Sequence, residues 1–233
     1  MMREALEGRK YVERYVQTLT HEIKSPLSAI RGSAELLEEE MSSEVRARFL
    51  ANIRTEANRI QDLVDRMLKL TELENKRSLE RVESISFSTL IRTVLEEKYL
   101  LLSQKGLKVE FPNRDDLMVK GDSFLLRQAV SNLIQNAIDF SPIQAQINIT
   151  VRADGKMLNF ILDDEGPGVP EYAKIKVFDK FFSLQRPDTG KKSTGLGLNL
   201  VKEVAHLHQG EIILENRAEK GMRAILQLPQ GKG

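Results

Sequence analysis

The stretch NLIQNAIDFS at residues 132–141 overlaps the end of the segment 122–140. The apolar residues of that segment recur at the spacing of one helix face. This periodicity predicts a helix with one buried side. Asn132 and Asn136 are four residues apart and therefore share a face of that helix. Their amide oxygens are hard, neutral ligands that suit Mg²⁺ when phosphates complete its coordination shell. Two surface amides are the alternative, and the pair by itself does not decide between them.

Strands and further helices are predicted on both sides of this helix. Period-two patterns and turn signals place strands at 107–111, 147–151, 157–162, 211–215 and 222–228. Helical spacing places helices at 87–104 and after the loop 183–197. The second of these ends near Gln209, with Gly210 predicted as its C′ residue. Strands joined partly by hairpins, with helices interleaved, are typical of an α+β sandwich.

An acidic loop follows one of these strands, in the sequence LDDEGPGVP at residues 162–170. Gly166 and Gly168 allow positive φ and a close approach of a ligand to the backbone. A carboxylate fixed in such a loop can accept a hydrogen bond from an amino group on a ring. An ordinary tight acidic turn is the alternative interpretation.

A second glycine-bearing stretch, KKSTGLGL at residues 191–198, opens the last predicted helix. Glycines before a helix expose backbone N–H groups, and the helix N-terminus attracts anions. The sequence is neither a Walker A loop nor G-x-G-x-x-G after a strand. Three cations, Arg186, Lys191 and Lys192, against Asp188 give the loop a local charge of about +2, so phosphates are predicted to bind here. A flexible loop with ordinary Gly and Lys is the alternative.

The first third of the chain has a different composition. Residues 9–75 contain a single proline, Pro26, and a single glycine, Gly32, and their apolar residues recur at helical spacing. A break from Met41 to Ser43, with Ser43 as N-cap, divides them into two long helices that form an αα-hairpin. Two helices alone cannot bury an apolar stripe on each, so pairing with a second copy in a four-helix bundle is predicted. A packing arm is the alternative.

The sequence HEIKSP at residues 21–26 is the candidate for nucleophilic chemistry. Pro26 lies within the helical pattern, where proline removes a backbone hydrogen bond and kinks a helix. His21 falls off the apolar stripe and is predicted to face solvent, and a neutral imidazole is a good nucleophile near pH 7. Glu22 is adjacent and can accept or orient a proton. An ordinary exposed histidine beside a glutamate is the alternative.

The composition excludes several other classes of site. Lys and Arg number 35 and Asp and Glu 34, and the net charge of +1 gives no support for general nucleic-acid binding. Cysteine is absent, which excludes disulfides, Cys-based zinc sites and Cys nucleophiles. No run of about 18 apolar residues is present, so no membrane span is predicted. The charged first residues, helix-like from the start, indicate a fragment of a longer protein.

In their order along the chain, these motifs resemble those of the cytoplasmic core of bacterial sensor histidine kinases. HEIKSP (21–26) is similar to the family's H box and NLIQNAIDFS (132–141) to its N box. Similar to its first glycine box, F box and second glycine box are DEGPG (164–168), FDKFF (178–182) and STGLGL (193–198). The stretches NAIDFSP (136–142) and EVAHLHQGEI (203–212) further resemble the CreC branch of the family.

The resemblance implies a multidomain α and α+β fold. A helical hairpin forming a dimeric four-helix bundle would be followed by an ATP-binding α/β sandwich of the kind shared with gyrase and a heat-shock chaperone. The implied division is 1–75 for dimerisation and histidine phosphotransfer, 76–84 for a linker and 85–233 for the catalytic domain. The implied location is the cytoplasmic portion of an inner-membrane sensor, attached to the membrane through a sensor region outside this chain.

The resemblance also implies an activity and its residues. The chain would be an ATP-dependent protein-histidine kinase of a two-component system, which phosphorylates its own His21 on Nε2 and passes the phosphoryl group to an aspartate of a response regulator receiver domain. Glu22 would take or orient the proton on the other ring nitrogen. Asn136 would ligate Mg²⁺ with support from Asn132, and Asp164 would bind the adenine amino group of ATP. Gly166 and Gly168 would shape the adenine-binding loop, and Gly195 and Gly197 would let the loop 183–197 pack over the phosphates.

The chain departs from the family pattern at several positions. Ser25 stands where the family has Thr or Asn for dephosphorylating the response regulator, and its hydroxyl leaves a phosphatase activity open. Asp139 and Phe140 stand where a basic residue and a tyrosine are common. Lys180, Arg186 or the lysines of the loop 183–197, called the lid below, are the candidates to replace that basic phosphate contact. Ser193 stands where a third glycine is common.

Two other functions share parts of these motifs. Hydrolytic relatives of the fold usually carry a Glu one turn before the metal-binding Asn, whereas this chain has Asn132, whose amide cannot act as a general base. This difference argues against an ATPase that releases phosphate to water. A non-catalytic dimeric scaffold would not need an intact Asn136, Asp164, Gly195 and Gly197. The motifs therefore favour the kinase.

Overall fold

The computed structural model of the chain describes residues 2–112, 117–188, 190 and 193–231, with side chains from residue 16 onward. The chain divides into two compact units, Met1–Thr71 and Glu72–Gly233. Within the described ranges, each helix is too short or too polar to cross a membrane.

The first unit contains the predicted hairpin of two long helices, except for the last turn of the second helix, which belongs to the second unit. These are α1 (Met2–Leu36) and α2 (Ser43–Asn75), joined by a short loop. The hydroxyl of Ser42 accepts the backbone N–H of Val45 at 3.4 Å. Ser42 is therefore the N-cap of α2, and the prediction of Ser43 is wrong by one residue because Ser43 already has helical backbone.

Polar contacts help to join the two helices, yet apolar surface remains exposed on both. Asn52 Nδ2 donates to the buried Ser33 Oγ at 2.8 Å across the hairpin. Leu27 on α1 is 54% exposed and Leu68 on α2 is 66% exposed. A single copy of the hairpin thus leaves large apolar side chains uncovered.

The second unit is a sheet covered by helices. In chain order its elements are β1 (Glu83–Ser86), α3 (Phe87–Gln104), β2 (Lys108–Glu110), β3 (Met118–Gly121), α4 (Ser123–Phe140), β4 (Gln146–Asp154), β5 (Met157–Asp163), α5 (Glu171–Lys174), α6 (Gly197–Leu207), β6 (Glu211–Asn216) and β7 (Met222–Pro229). The main sheet has the order β2-β4-β5-β7-β6. β2 runs parallel to β4, the other neighbours are antiparallel, and β1 and β3 form a separate antiparallel pair.

The core of this unit lies between the main sheet and helices α3, α4 and α6. α4 buries Leu126, Leu133 and Ile134. These residues lie on one helix face, because positions seven and eight residues apart are about two helical turns from each other. β4 buries Ile147 and Ile149, because alternate side chains of a strand point to the same face. This arrangement confirms the α/β sandwich expected from the sequence.

Two short strands and one helix end differ from the predictions. β1 and β3 are absent from the predicted strands, because four residues each are too few to show a clear alternation. β1 begins within the segment 76–84 that the sequence suggests as a linker. After α6, Gln209 and not Gly210 adopts the left-handed conformation, with φ +56°. Gly210 is needed for another reason, since a Cβ there would lie 2.1 Å from the carbonyl oxygen of Gln227.

A buried histidine fixes the start of α4. His208 Nε2 accepts the backbone N–H of Asp122 at 3.0 Å, and its Nδ1 lies 2.7 Å from the carbonyl oxygen of Val204. Nδ1 therefore carries the proton of a neutral ring. Burial lowers the pKa of His208, which favours that neutral form. Asp122 in turn caps α4 by accepting the N–H of Leu125, so this histidine connects the end of α6 to the first turn of α4.

Candidate functional site

A concave pocket in the second unit brings together several of the residues singled out in the sequence. Five of them line it: Asn136, Asp164, Gly168, Gly195 and Gly197. They come from α4, the loop after β5, the lid and the first turn of α6. The rest of the wall is mostly apolar and includes Leu133, Ala137, Phe140, Leu162, Val169, Leu214 and Met222. Apolar walls with a few polar groups suit a flat ring that carries hydrogen-bonding substituents.

Asp164 is the buried acid of this pocket. Its Oδ1 accepts two backbone N–H groups, from Gly166 at 2.7 Å and from Met222 at 3.1 Å. Among the described residues no group donates to its Oδ2, and the residue as a whole is 6% exposed. The carboxylate is thus held by one oxygen and has the other left to accept a hydrogen bond from a ligand. Burial raises the pKa of Asp164, against the two amide hydrogen bonds and Arg217, which lower it.

The turn between β6 and β7 holds the acidic loop in place. Asn216 makes two hydrogen bonds to the backbone of Val169, accepting its N–H at 2.7 Å and donating to its carbonyl oxygen at 2.8 Å. Arg217 Nη1 donates to the carbonyl oxygen of Asp164 at 2.8 Å. Gly221 has φ +99°, and a Cβ there would lie 1.9 Å from the same oxygen. None of these three residues is singled out by the sequence motifs, although a glycine just before a predicted strand is a signal of close backbone approach.

The two glycines of the acidic loop differ: Gly168 has the positive φ that its sequence allows and lines the pocket, whereas Gly166 does neither. Gly168 has φ +74°, and a Cβ would come within 2.8 Å of Asn216 Oδ1. A Cβ at Gly166 would lie 2.9 Å from Asp164 Oδ1 and 3.0 Å from the carbonyl oxygen of Phe140. Larger residues at either position would push the loop away from α4 or from the β6–β7 turn.

The end of the lid packs against the segment 178–183. Gly195 has φ +64°, and a Cβ would lie 2.4 Å from the backbone of Phe181. Phe181 donates its N–H to the Gly195 carbonyl oxygen at 2.9 Å. Gly197 lies close to Asn132, whose Nδ2 donates to the Gln128 carbonyl oxygen at 2.8 Å. Asn132 thus faces the start of α6, one turn before Asn136.

Ion pairs connect the lid to the C-terminal end of α4. Arg186 Nη2 lies 2.5 Å from Asp139 Oδ2, and Lys105 Nζ lies 2.5 Å from Asp188 Oδ2. Lys105 also donates to the carbonyl oxygen of Ile138 at 2.7 Å. The acid that stands where the family commonly has a basic residue is therefore paired with an arginine of the lid.

Lys180, another cation singled out in the sequence, lies away from the pocket. Its Nζ lies 2.6 Å from Glu74 Oε2. Lys191 and Lys192 lie outside the described residues. Of the two such cations that the structure describes, Arg186 lies beside α4, and neither Arg186 nor Lys180 lines the pocket.

The predicted nucleophile belongs to the first unit. His21 is exposed on α1, and Ser25 is exposed one turn further along the same face. Glu22 is partly buried, with its Oε2 3.8 Å from Arg59 Nη2 on α2. Arg59 also lies 3.7 Å from Glu56. Pro26 lies inside α1 and is buried.

The ability of these residues to hold Mg²⁺ depends on the nucleotide. Within the described parts of the chain, no three His, Asp or Glu side chains are grouped so that they could hold a metal ion. Asn136 offers one neutral oxygen in the pocket. Mg²⁺ is usually bound through few protein ligands together with phosphates and water. The donor set therefore fits a metal that arrives with a nucleotide.

Two family models match the chain. Residues 11–76 match the His Kinase A (phospho-acceptor) domain, and residues 121–232 match the histidine kinase-, DNA gyrase B- and HSP90-like ATPase. Sensor protein CreC of Escherichia coli strain K12 is 41% identical over 97% of this chain and 47% of its own length. The heme sensor protein HssS of Staphylococcus haemolyticus is 29% identical over 94% of this chain and 47% of its own length. The chain thus spans about half the length of these curated relatives.

Solved structures of histidine kinases have the same fold. Histidine kinase ThkA, in a complex with the response regulator protein TrrA, aligns with a TM-score of 0.76 and 26% identity over 98% of this chain and 66% of that chain. The isolated catalytic domain of ThkA aligns with a TM-score of 0.57 and 29% identity over 64% of this chain and 98% of its own length. With both domains in the family's order and the resemblance to CreC confirmed, the chain belongs to the sensor histidine kinases.

Proposed function

We propose that this chain is the ATP-dependent kinase core of a two-component system. It phosphorylates His21 and transfers the phosphoryl group to an aspartate of a response regulator receiver domain. The observation that carries the proposal is the pocket in which Asp164, Asn136 and the lid glycines converge, in a chain that also exposes a histidine on a helix. The complex of the relative ThkA with a response regulator supports the choice of partner.

In this proposal the pocket recognises ATP by its base. The adenine ring lies between the apolar walls, and its amino group donates to Asp164 Oδ2, which has no donor among the described residues. Gly166 and Gly168 let the loop pack close to α4 and to the β6–β7 turn, which leaves room for the base. Gly195 and Gly197 let the lid end approach the phosphates, where the N-terminus of α6 favours negative charge.

Asn136 holds the metal and Arg186 contacts the phosphates. When bound, Mg²⁺ neutralises part of the phosphate charge. Asn132 supports this end of the site without activating water, because its amide is not a base. Arg186 replaces the family's usual basic residue: Asp139 keeps its guanidinium at the end of α4, one turn beyond Asn136. Lys191 and Lys192 of the lid remain predicted phosphate contacts.

His21 is the acceptor of the phosphoryl group. Its Nε2 forms a bond to the γ-phosphorus while the bond from that phosphorus to the bridging oxygen breaks, and ADP leaves. The proton on Nδ1 is taken or oriented by Glu22. Arg59 lies beside Glu22, with its Nη2 3.8 Å from Glu22 Oε2. Positioning and charge neutralisation are the main demands of such a transfer.

Labelling with γ-phosphate-labelled ATP and Mg²⁺ tests the kinase. Phosphohistidine is the expected product, so acid should remove the label and alkali should leave it. Steady release of phosphate without labelled protein would instead support the ATPase. Failure to bind ATP with Mg²⁺ would instead support the non-catalytic dimeric scaffold.

The hairpin is proposed to form a homodimer. Exposed apolar residues on both helices, among them Leu27 and Leu68, would be buried in a four-helix bundle with a second copy. Light scattering at micromolar concentration should give twice the chain mass of 26.5 kDa. A monomer mass would contradict the dimer.

The proposed function also divides the chain into domains. Residues 1–75 are the dimerisation and phosphotransfer domain, 76–84 the linker and 85–233 the catalytic domain. The chain is the cytoplasmic part of a membrane sensor.

A phosphatase activity toward the response regulator is a second candidate function. Ser25 is exposed on the same helix face as His21, where its hydroxyl can orient a water. Replacing Ser25→Ala should slow the loss of phosphate from a phosphorylated receiver domain and leave the labelling of His21 unchanged. Equal rates of phosphate loss with the variant and the unmodified chain would exclude this role for Ser25.

A further inference from the structure

Arg217 is fixed against the acidic loop by both its backbone and its side chain. Its N–H donates to the Gly221 carbonyl oxygen at 2.9 Å, which closes the β6–β7 turn. Its Nη1 donates to the carbonyl oxygen of Asp164 at 2.8 Å. The side chain is half-buried, so that its charge acts on Asp164 with less screening than at an open surface.

The two acids next to Asp164 in the sequence, Asp163 and Glu165, each have another partner. Asp163, the last residue of β5, directly precedes Asp164 and raises its pKa. Asp163 is itself held in a two-pronged ion pair with Arg223, at 2.7 Å for each contact. Glu165 directs its Oε2 to the backbone N–H of Gln146 at 3.3 Å. Arg217 is the cation that opposes the effect of burial on Asp164.

We propose that Arg217 is a positioning residue for base recognition, which holds Asp164 in place and keeps its carboxylate ionised, so that Oδ2 accepts the amino group of adenine. The inference rests on the proposed role of Asp164. Arg217 does not touch the base; it acts through the loop that presents the acid. Arg223 lies on the adjoining strand β7 and pairs with the neighbouring acid, Asp163, so it offers a matched comparison.

The protonation state of Asp164 can be read from the choice between two bases. An ionised Asp164 accepts a hydrogen bond from the amino group of adenine. A protonated Asp164 donates one to the carbonyl oxygen that hypoxanthine carries at the same position. The ratio of the affinities for ADP and IDP therefore follows the ionisation of Asp164. Titration of the phosphates and of His208 affects both nucleotides alike and cancels from this ratio.

The test is to measure the dissociation constants of ADP and IDP by calorimetry between about pH 8 and about pH 4.5, a range above the ordinary pKa of an aspartate. In Arg217→Gln, loss of the opposing charge should move the decline of the ADP preference upward by roughly one pH unit. At a pH on the declining limb, the preference should then be lower by up to about tenfold. The charge-conserving Arg217→Lys should decline where the unmodified chain does. Arg223→Gln releases Asp163 from its ion pair and should shift the decline by less than Arg217→Gln does.

Each outcome separates this inference from the proposed function. If Arg217→Gln declines at the same pH as the unmodified chain, or Arg223→Gln shifts as far, the inference is overturned while the nucleotide site stands. If ADP is not bound at all, or its preference over IDP does not depend on Asp164, the proposed function fails first. A decline that shifts in Arg217→Lys would also overturn the inference. Should Arg217→Gln not fold, Arg217→Met provides a neutral side chain for the same comparison.

Discussion

Replacing His21→Gln is expected to reduce the incorporation of label from γ-labelled ATP by roughly a hundredfold or more, because a glutamine amide is not a nucleophile. Nucleotide binding should be unchanged, since the residue belongs to the first unit and does not line the pocket. His21 is exposed, so the substitution should also leave the stability of the hairpin almost as it is.

The matched control is His206→Gln. His206 is also an exposed histidine on a helix, and it lies outside the nucleotide pocket. Label should be incorporated in this variant at the rate of the unmodified chain. Label that survives in His21→Gln with the same acid sensitivity would overturn the assignment of the phosphoacceptor.

Replacing Asp164→Asn is expected to weaken ADP binding by about a hundredfold, because the amide nitrogen that replaces Oδ2 donates where the adenine amino group also donates. The fold should persist. The amide oxygen in place of Oδ1 can still accept the N–H groups of Gly166 and Met222. Burying a neutral amide also avoids the cost that raises the pKa of the carboxyl, so thermal stability should be equal or higher at neutral pH.

The control for this substitution is Asp163→Asn. Asp163 is the adjacent acid on β5, but it pairs with Arg223 and does not line the pocket. Calorimetry should find little change in ADP affinity for this variant. Equal losses in both variants, or a loss in Asp164→Asn that accompanies unfolding, would contradict the role of Asp164 in binding the base.

Much of the site could be predicted because its residues act through short-range patterns. Asn132 and Asn136 share a helix face because they are four residues apart, whatever the helix packs against. Gly168 and Gly195 lie in turns whose positive φ favours glycine. The apolar spacing of α4 likewise predicts its buried face without knowledge of its neighbours.

The residues that the sequence could not supply act across strand pairs. Asn216, Arg217 and Gly221 reach the acidic loop because β7 pairs antiparallel with β5, which sets Arg223 opposite Asp163. That register is set by the assembled sheet and not by any local motif. The pairing of Asp139 with Arg186 is of the same kind, since only the folded domain reveals which of several candidate cations meets the acid.

The hold of the β6–β7 turn on Asp164 also bears on how the protein is made. The carboxylate depends on the N–H of Met222, 58 residues later in the chain, and its carbonyl oxygen on Arg217, 53 residues later. During synthesis on the ribosome, the acidic loop emerges long before the turn that fixes it. Until β7 has left the exit tunnel and paired with β5, a nascent chain has both glycine-bearing motifs but no ordered acid to receive the base. Competence to bind nucleotide is therefore gained only after β7 has emerged and paired with β5.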